Sequence, residues 1–168
     1  MNNIDEKMTK VRRYIESGGV YFITSVTEGR IPILVDVSAR FMVVNLIYHK
    51  YLLDYKLFGY VVMPEHFHLL IQPSKKYNIS KIMNLVKGNF ARKYNEIHNR
   101  QGTKVWQQGF HDSVVRDEKE INKWLEYMHW NPVKKGLVKS PAEYEFSSHC
   151  QYYGITRKSI YVPIDRLW

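Results

Sequence analysis

Two histidines separated by a single residue, His66 and His68, are the side chains best suited to chemistry in this sequence. On a β-strand both imidazoles would point to the same face and could reach one metal ion, while Phe67 would point the other way, into a core. Two imidazoles leave a divalent cation under-coordinated. Magnesium or manganese would therefore need a further protein ligand, with water and phosphate oxygens completing the coordination. The pair also has a purely structural interpretation, as two imidazoles hydrogen-bonded to their neighbours.

Tyr127 and Asn131 form a second candidate pair. They are four residues apart, so they share one face of a helix if helical geometry continues to the residue before Pro132. Asn131 is the candidate third metal ligand. Tyr127 lies off the centre of the apolar stripe that starts at Ile121, which favours a role outside the core, although most of the 13 tyrosines in the chain must be structural.

The elements that must position these residues follow from the spacing of apolar, glycine and proline residues. The predicted strands cover residues 18–26, 56–63, 66–72 and 111–115, and the predicted helices cover 36–51, 78–98 and 117–131. This order predicts an α+β fold of the ferredoxin-like, RRM-like split βαβ type, with an antiparallel sheet and an added C-terminal helix that carries the tyrosine. We expect the hairpin around Pro64-Glu65 at the centre of the sheet. The helices are expected mainly on one face, which leaves the opposite face or its edge for a ligand.

Apolar residues at helical spacing predict which helix faces are buried. In the first helix, which Asp36 could cap, the predicted core stripe is Val37, Phe41, Val44, Tyr48 and Tyr51. In the second, which Asn78 could cap, it is Ile79, Ile82, Val86, Phe90, Tyr94 and Ile97. The third helix starts with a capping pattern of Asp117 and Glu120, and Pro132 is expected to end it.

Charge is concentrated in one part of the chain. The formal net charge is +9, and the 30 residues from Lys75 to Lys104 alone carry +7. This favours a phosphate-facing surface over a merely solvated helix face. The candidate contacts to a polyanion are Lys75, Lys76, Lys81, Lys87, Arg92 and Lys93, with Trp106 and Phe110 as aromatic side chains that could stack on bases or simply pack in the core.

Composition bounds the remaining properties. The sequence predicts one globular domain over 1–168, with a core at about 12–138 and a packed tail at 139–168, because 45% of its residues are hydrophobic. Cys150 is the single cysteine, so an intrachain disulfide is excluded. No apolar run is long enough to span a membrane and the first residues do not resemble a signal peptide, so we expect a cytoplasmic protein.

Several stretches, in the same order along the chain, resemble the REP-associated tyrosine transposases, a family of single-tyrosine, His-hydrophobe-His transposases that act on single-stranded DNA. The resemblance covers about residues 12–153. Its motifs are Arg12-Arg13, Gly18-Gly19, Tyr21 to Thr24, Arg30 to Leu34, Gly59 to Leu70, Trp106-Gln107, Gly109 to Asp112, Arg116-Asp117, Tyr127, Asn131 to Val133, Gly136 to Val138, Tyr144, Ser147-Ser148 and Tyr152.

The resemblance implies a role for each candidate. Tyr127 would be the nucleophile that forms a 5′-phosphotyrosine, and His66, His68 and Asn131 would hold magnesium or manganese. The substrate would be single-stranded DNA with palindromic hairpins, contacted by the basic residues named above. The resemblance favours a monomer, with a homodimer as the alternative.

Two other functions remain open at this point. A non-catalytic module that binds single-stranded nucleic acid would have the same fold and charge, but binding alone does not require the two histidines together with Tyr127 and Asn131. A metal-dependent hydrolase would use an activated water and leave Tyr127 as a structural residue. Such an enzyme would cut DNA without forming a covalent adduct.

Overall fold

The computed structural model of the protein describes residues 19–156 and 163–166. In chain order the elements are β1 (Val20–Val26), α1 (Asp36–Leu53), β2 (Lys56–Met63), β3 (His66–Gln72), α2 (Ile79–Ile97), β4 (His111–Val115), α3 (Glu118–Lys134) and α4 (His149–Tyr152), with 3-10 turns at Glu28–Arg30 and Pro141–Glu143. Arg12, Arg13 and Gly18, which contribute to the family resemblance, lie outside the described residues. The division into one domain and a tail stays a prediction.

The four strands form one antiparallel sheet in the order β2-β3-β1-β4. This is the strand order of the split βαβ fold, and the predicted fold class is confirmed. The expectation that the β2-β3 hairpin occupies the centre of the sheet was wrong for β2. β1 lies between β3 and β4, so β3 and β1 are the interior strands. β2 pairs with β3 alone in this sheet and lies at its edge.

The two faces of the sheet are covered by different helices. Phe67 and Leu69 point from β3 into a core shared with α1 and α2. On the opposite face, Phe22 and Leu70 pack with residues of α3, including Leu125. The expectation that the helices lie mainly on one face was therefore wrong, because the apolar stripe of α3 needs its own surface to cover. The ligand space is reduced to a gap between α3 and the sheet.

The predicted core stripe of α1 was wrong except at Phe41, which is half-buried and stacks on Phe90 in the core. Val37 and Tyr51 are exposed, as are Val44 and Tyr48. The buried side is formed by Ala39, Met42, Val43, Asn45, Leu46, His49 and Leu53. The exposed and the buried residues of α1 both repeat at helical spacing. Because the exposed residues are large and apolar or aromatic, the sequence pattern predicted the solvent-facing side as the buried one. Asp36 is the first helical residue and Val35 occupies the N-cap position, so the predicted cap is one residue late.

The other two helices follow the sequence more closely. Asn78 caps α2 by accepting a hydrogen bond from the Lys81 amide, and Asp117 caps α3 in the same way through the Glu120 amide. Ile97 is exposed at the end of α2, contrary to prediction. α3 does not stop before Pro132 but continues to Lys134, so Asn131 is fully helical.

The segment after α3 lies along the edge strand β2. The Val62 amide donates to the Phe146 carbonyl at 2.8 Å, the Ser148 amide donates to the Tyr60 carbonyl at 3.0 Å, and the Asp165 amide donates to the Leu57 carbonyl at 2.7 Å. These bonds satisfy backbone groups that an edge strand otherwise leaves open. Among the described residues, no helix combines the length and apolar character needed to cross a membrane.

Candidate active site

A cavity of about 510 Å³ opens between α3 and the face of the sheet formed by β1 and β3. It brings together all four residues that the sequence singled out for chemistry: His66, His68, Tyr127 and Asn131. The remaining lining residues are Phe22, Thr24, Val26, Arg30, His111, Ser113, Trp124, Lys134 and Lys135.

His68 is fixed from two sides. Thr24, its register partner on β1, lies with Oγ1 2.8 Å from Nδ1, and the Asn131 side-chain nitrogen lies 3.2 Å from Nε2. With the Asn131 amide donating to Nε2, the ring proton is on Nδ1 and is donated to the Thr24 hydroxyl. Burial, with a smaller contribution from the charge of His66, lowers the pKa of His68 to about 3. His68 is therefore neutral at physiological pH, as a metal ligand must be.

His66 has a similar arrangement. Its Nδ1 donates to the Glu65 carboxylate at 3.1 Å, and its ring centre lies 4.7 Å from that of His68. Burial lowers the pKa of His66, and the nearby carboxylate of Glu65 partly opposes that shift. In both histidines Nδ1 is engaged by an oxygen, so Nε2 is the nitrogen that would bind a ligand, and at His68 this is the atom that the Asn131 amide contacts. Oriented imidazoles of this kind are typical of metal sites.

These residues fit a divalent cation that keeps open positions. No group of three His, Cys, Asp or Glu side chains is arranged to hold a metal within the described parts of the chain. Two imidazole nitrogens and one amide oxygen are thus what the protein itself could offer, the oxygen of Asn131 becoming available when its side-chain amide turns over. The remaining positions would be open to water or to phosphate oxygens.

Tyr127 stands beside this site in a frame of aromatic rings. Its ring meets Phe22, His68 and Trp124 edge-on, with centre-to-centre distances of 5.9, 5.5 and 5.8 Å. Phe22 and Trp124 are themselves stacked at 4.0 Å. Tyr127 nevertheless remains 40% exposed. A tyrosine ring that is fixed by three neighbouring rings and still partly exposed to solvent is better suited to be a nucleophile than to fill the core.

Gly59 on β2 allows α3 to lie this close to the sheet. A Cβ atom at Gly59 would come within 2.5 Å of the Leu125 side chain and 3.0 Å of Met128. The absence of a side chain at Gly59 therefore helps to set the distance between the sheet and the helix that carries Tyr127 and Asn131.

The predicted polyanion contacts lie elsewhere. Lys75, Lys76, Lys81, Arg92 and Lys93 belong to α2 or to the segment before it, on the face of the sheet opposite the cavity. Lys75, Lys76, Lys81 and Arg92 are exposed, whereas Lys93 is half-buried and paired with Glu96. None of the five lines the cavity.

Three further predicted contacts belong to the protein interior. Lys87 is buried, and its ammonium group donates to the carbonyl oxygens of Gln107 and Gly109. Trp106 is buried in the core and its indole nitrogen donates to the Lys87 carbonyl at 3.0 Å. Phe110 is half-buried against the same core. Lys87 and Trp106 are therefore structural residues, a correction that charge and aromatic content alone could not anticipate.

The cavity has its own basic residues, Arg30, Lys134 and Lys135, which the sequence reasoning did not select. Lys134 lies with its nitrogen 5.5 Å from the centre of the Tyr127 ring. The two lysines could have been found, because they follow Asn131 within one turn of the same helix. Arg30 begins one of the motifs of the family resemblance, but nothing in the sequence placed its side chain beside the histidines.

Residues 21–131 match the family model described as IS200-like transposases, a range that includes His66, His68, Tyr127 and Asn131. The chain belongs to this transposase family. It is 30% identical over 156 residues to a Haemophilus influenzae protein named as a REP-associated tyrosine transposase, with 84% of this chain and 85% of that protein covered. It is 26% identical over 159 residues to the REP-associated tyrosine transposase of Escherichia coli K12, with 94% and 90% covered. The predicted family is confirmed, and the protein is a DNA-processing enzyme of the REP-associated tyrosine transposase group.

Two solved structures share the fold of this transposase. One is a REP-associated tyrosine transposase bound to a REP hairpin, with a TM-score of 0.72, 23% identity and 93% of both chains covered. The other is described as a transposase from Deinococcus radiodurans, with a TM-score of 0.51, 23% identity, and 65% of this chain and 89% of that chain covered.

Proposed function

We propose that this transposase cleaves and rejoins single-stranded, hairpin-containing DNA through a covalent 5′-phosphotyrosine on Tyr127, with a divalent metal ion. The observation that carries the proposal is the convergence of Tyr127 with His66, His68 and Asn131 in one cavity. A binding module would need the charge and the fold, but it would not need an accessible tyrosine framed beside two neutral, oriented imidazoles.

In the proposed reaction the Tyr127 hydroxyl oxygen bonds to the phosphorus of a DNA phosphodiester, and the phenolic proton is lost to solvent. The bond from phosphorus to the 3′ oxygen breaks and that oxygen takes up a proton from solvent, which leaves a free 3′-hydroxyl end and a phosphotyrosine on the 5′ end. A second 3′-hydroxyl can then attack the phosphotyrosine and regenerate Tyr127. Each step exchanges one phosphodiester for another, so no external energy source is required.

His66, His68 and Asn131 are the residues that would hold magnesium or manganese. When bound, the ion would supply Lewis-acid stabilisation of negative charge on the phosphate oxygens. The protein contributes the orientation of the ligands: Glu65 and Thr24 fix the two imidazoles, and the aromatic frame around Tyr127 holds the phenol near them. Holding the nucleophile in place reduces the entropy that the reaction must lose.

The DNA partner is proposed from the relatives together with the charge of the protein. The structural neighbour with 93% coverage is bound to a REP hairpin, and the net charge of this chain is +9. We propose a monomer as the active form, because residues from Phe146 to Ser148 already cover part of the β2 edge that a second chain could otherwise extend.

The test is a search for a covalent adduct. The protein is incubated with a 5′- and 3′-labelled single-stranded hairpin oligonucleotide taken from the DNA flanking its gene, with manganese, and the products are separated under denaturing conditions. We expect a protein-DNA adduct that is absent in Tyr127→Phe and His66→Ala and after chelation. The matched control is Tyr51→Phe, which changes an exposed tyrosine of α1 and should leave the adduct unchanged.

Each alternative has its own outcome. Cleavage without any adduct would contradict the proposal and indicate hydrolysis by an activated water. Tight binding of the hairpin without cleavage would also contradict it and would indicate a non-catalytic binding module.

A further inference from the structure

Arg30 reaches the cavity from a turn with unusual backbone geometry. Gly29 and Arg30 have φ angles of 61° and 55°, and the Ile31 amide donates to the Glu28 carbonyl across them at 3.3 Å. Two consecutive positive φ angles within a four-residue turn are characteristic of the type I′ turn. Glycine adopts this conformation without penalty, whereas an arginine side chain does so only with strain.

The turn is firmly held against the metal-site hairpin. The Thr27 amide and hydroxyl both donate to the Glu65 carbonyl, at 2.9 and 3.0 Å, and the hydroxyl also lies 2.8 Å from the Ile31 carbonyl. On its other side the turn is tied to the core by the Glu28 amide, which donates to the Val105 carbonyl at 2.8 Å. The turn that carries Arg30 is therefore held in place beside Glu65, the residue that precedes His66.

The charge around this turn favours an anion. Arg30 and Lys135 both line the cavity that contains His66, so their positive charges lie around the same space as that ring. Arg30 approaches from the turn after β1, and Lys134 and Lys135 approach from the end of α3. Glu65 supplies the nearby negative charge, and its carboxylate is engaged by His66. The cavity is thus bordered by cations on two sides.

We propose that Arg30 binds a phosphate of the single-stranded DNA in the cavity, beside His66. This inference rests on the proposed function for the identity of the anion. The planar guanidinium can donate two parallel hydrogen bonds to two oxygens of one phosphate, which a lysine cannot do. The positive φ angle of Arg30 would cost a glycine nothing, so the strained backbone calls for a role of the arginine side chain. A contact to phosphate supplies that role.

The test measures equilibrium binding separately from cleavage. All variants are made in a Tyr127→Phe background, and binding to a fluorescein-labelled single-stranded hairpin oligonucleotide is followed by anisotropy over a series of salt concentrations with manganese present. Arg30→Gly removes the charge and relieves the backbone. Arg30→Lys keeps the charge and the strain. Asp54→Gly is the matched control, because Asp54 also has a positive φ, of 52°, and is exposed outside the cavity.

We expect Arg30→Gly to bind about tenfold more weakly, as for the loss of a charged hydrogen bond. The slope of log affinity against log salt should fall by about 0.7, which corresponds to one lost phosphate contact on a single strand. Arg30→Lys should keep most of that slope, and Asp54→Gly should keep both affinity and slope. The melting temperature of Arg30→Gly should equal or exceed that of its parent, which distinguishes lost DNA contact from lost structure.

An unchanged salt slope in Arg30→Gly would overturn the proposal, whether or not the melting temperature falls. The adduct assay, run in parallel on Arg30→Gly with Tyr127 restored, separates this proposal from the function itself. If the wild-type protein forms no adduct while Arg30→Gly still loses the phosphate contact, the covalent mechanism fails and the role of Arg30 stands. If the adduct forms and Arg30→Gly binds DNA like its parent, the covalent mechanism stands and the proposed role of Arg30 fails.

Discussion

The side-chain amide of Asn131 lies 3.2 Å from Nε2 of His68 and joins α3 to the central strand β3. This contact involves the imidazole nitrogen that we expect to face a metal ion. Asn131 is also one helical turn beyond Tyr127, so a single turn of α3 carries both the proposed nucleophile and a proposed ligand. Any shift of α3 would therefore move the tyrosine and disturb the metal site together.

Asn131→Ala should weaken metal binding more than it weakens the chemical step. Removing a group next to the metal typically costs about 10–100-fold in metal affinity. We expect the manganese concentration that gives half-maximal adduct formation to rise by that factor, with the rate largely restored at saturation. Asn122→Ala, at an exposed position of the same helix, is the control. An unchanged manganese requirement would show that Asn131 neither binds the metal nor positions His68 for it.

Thr24→Val should act on the same site from the opposite side. Valine keeps the β-branched shape that suits β1, but it removes the hydroxyl 2.8 Å from His68 Nδ1. We expect about a tenfold higher manganese requirement and little change in melting temperature. Thr24→Ser, which restores an acceptor, should recover most of the wild-type response. If Thr24→Ser, which keeps the hydroxyl, is as impaired as Thr24→Val, the hydrogen bond to His68 does not by itself set the manganese requirement.

Lys87→Met should reduce stability and leave the salt dependence of DNA binding intact. The ammonium group of Lys87 donates to two backbone carbonyls, and its removal leaves these partly buried acceptors without that donor. We expect a loss of about 1–3 kcal/mol in the free energy of unfolding, measured by urea denaturation. The salt slope of oligonucleotide binding should match the wild type, unlike that of Arg30→Gly. A reduced slope would return Lys87 to the DNA surface that the sequence suggested.

The chemical constellation was predictable because it depends on local geometry. Alternation along β3 puts His66 and His68 on one face whatever the rest of the fold does, and helical spacing does the same for Tyr127 and Asn131. The order of strands and helices then brings the two pairs together, as the REP-associated resemblance also implied. The depth of the cavity was not predictable in this way, because it depends on the packing of α3 over the sheet and on the close approach that Gly59 allows.

The helix surfaces were less predictable because several competing partners determine them. The exposed Tyr48 and Tyr51 of α1 resemble a buried stripe, and only the packing of α1 against both the sheet and α2 shows that the opposite side is inside. The density of basic residues likewise predicted α2 as a DNA-binding surface. Charge density alone, however, does not show which face of the sheet a helix covers. Arg30 illustrates the limit, since its importance comes from a backbone conformation and a neighbour, His66, that is distant in sequence.

His49 should make the protein less stable in acid. It is buried in α1, and its Nδ1 donates to the Asn45 carbonyl at 2.9 Å, so the other ring nitrogen carries no proton in the neutral form. Burial lowers its pKa below the ordinary value of 6.5. Above that value His49 is neutral in both the folded and the unfolded chain and stability does not depend on it. As the pH falls below 6.5, the unfolded chain binds the proton first and the free energy of unfolding decreases, until the folded-state pKa is reached.

His49→Gln should remove this part of the acid sensitivity. Urea unfolding of the metal-free protein at about pH 7.5 and about pH 5 gives the stability difference for each variant, and the other histidines contribute equally to the wild type and to His49→Gln. We expect a smaller loss of stability between the two pH values in His49→Gln. His98→Gln, at an exposed histidine, should show the wild-type loss. If His49→Gln loses as much stability as the wild type, the buried imidazole of α1 is not what makes the folded protein sensitive to acid.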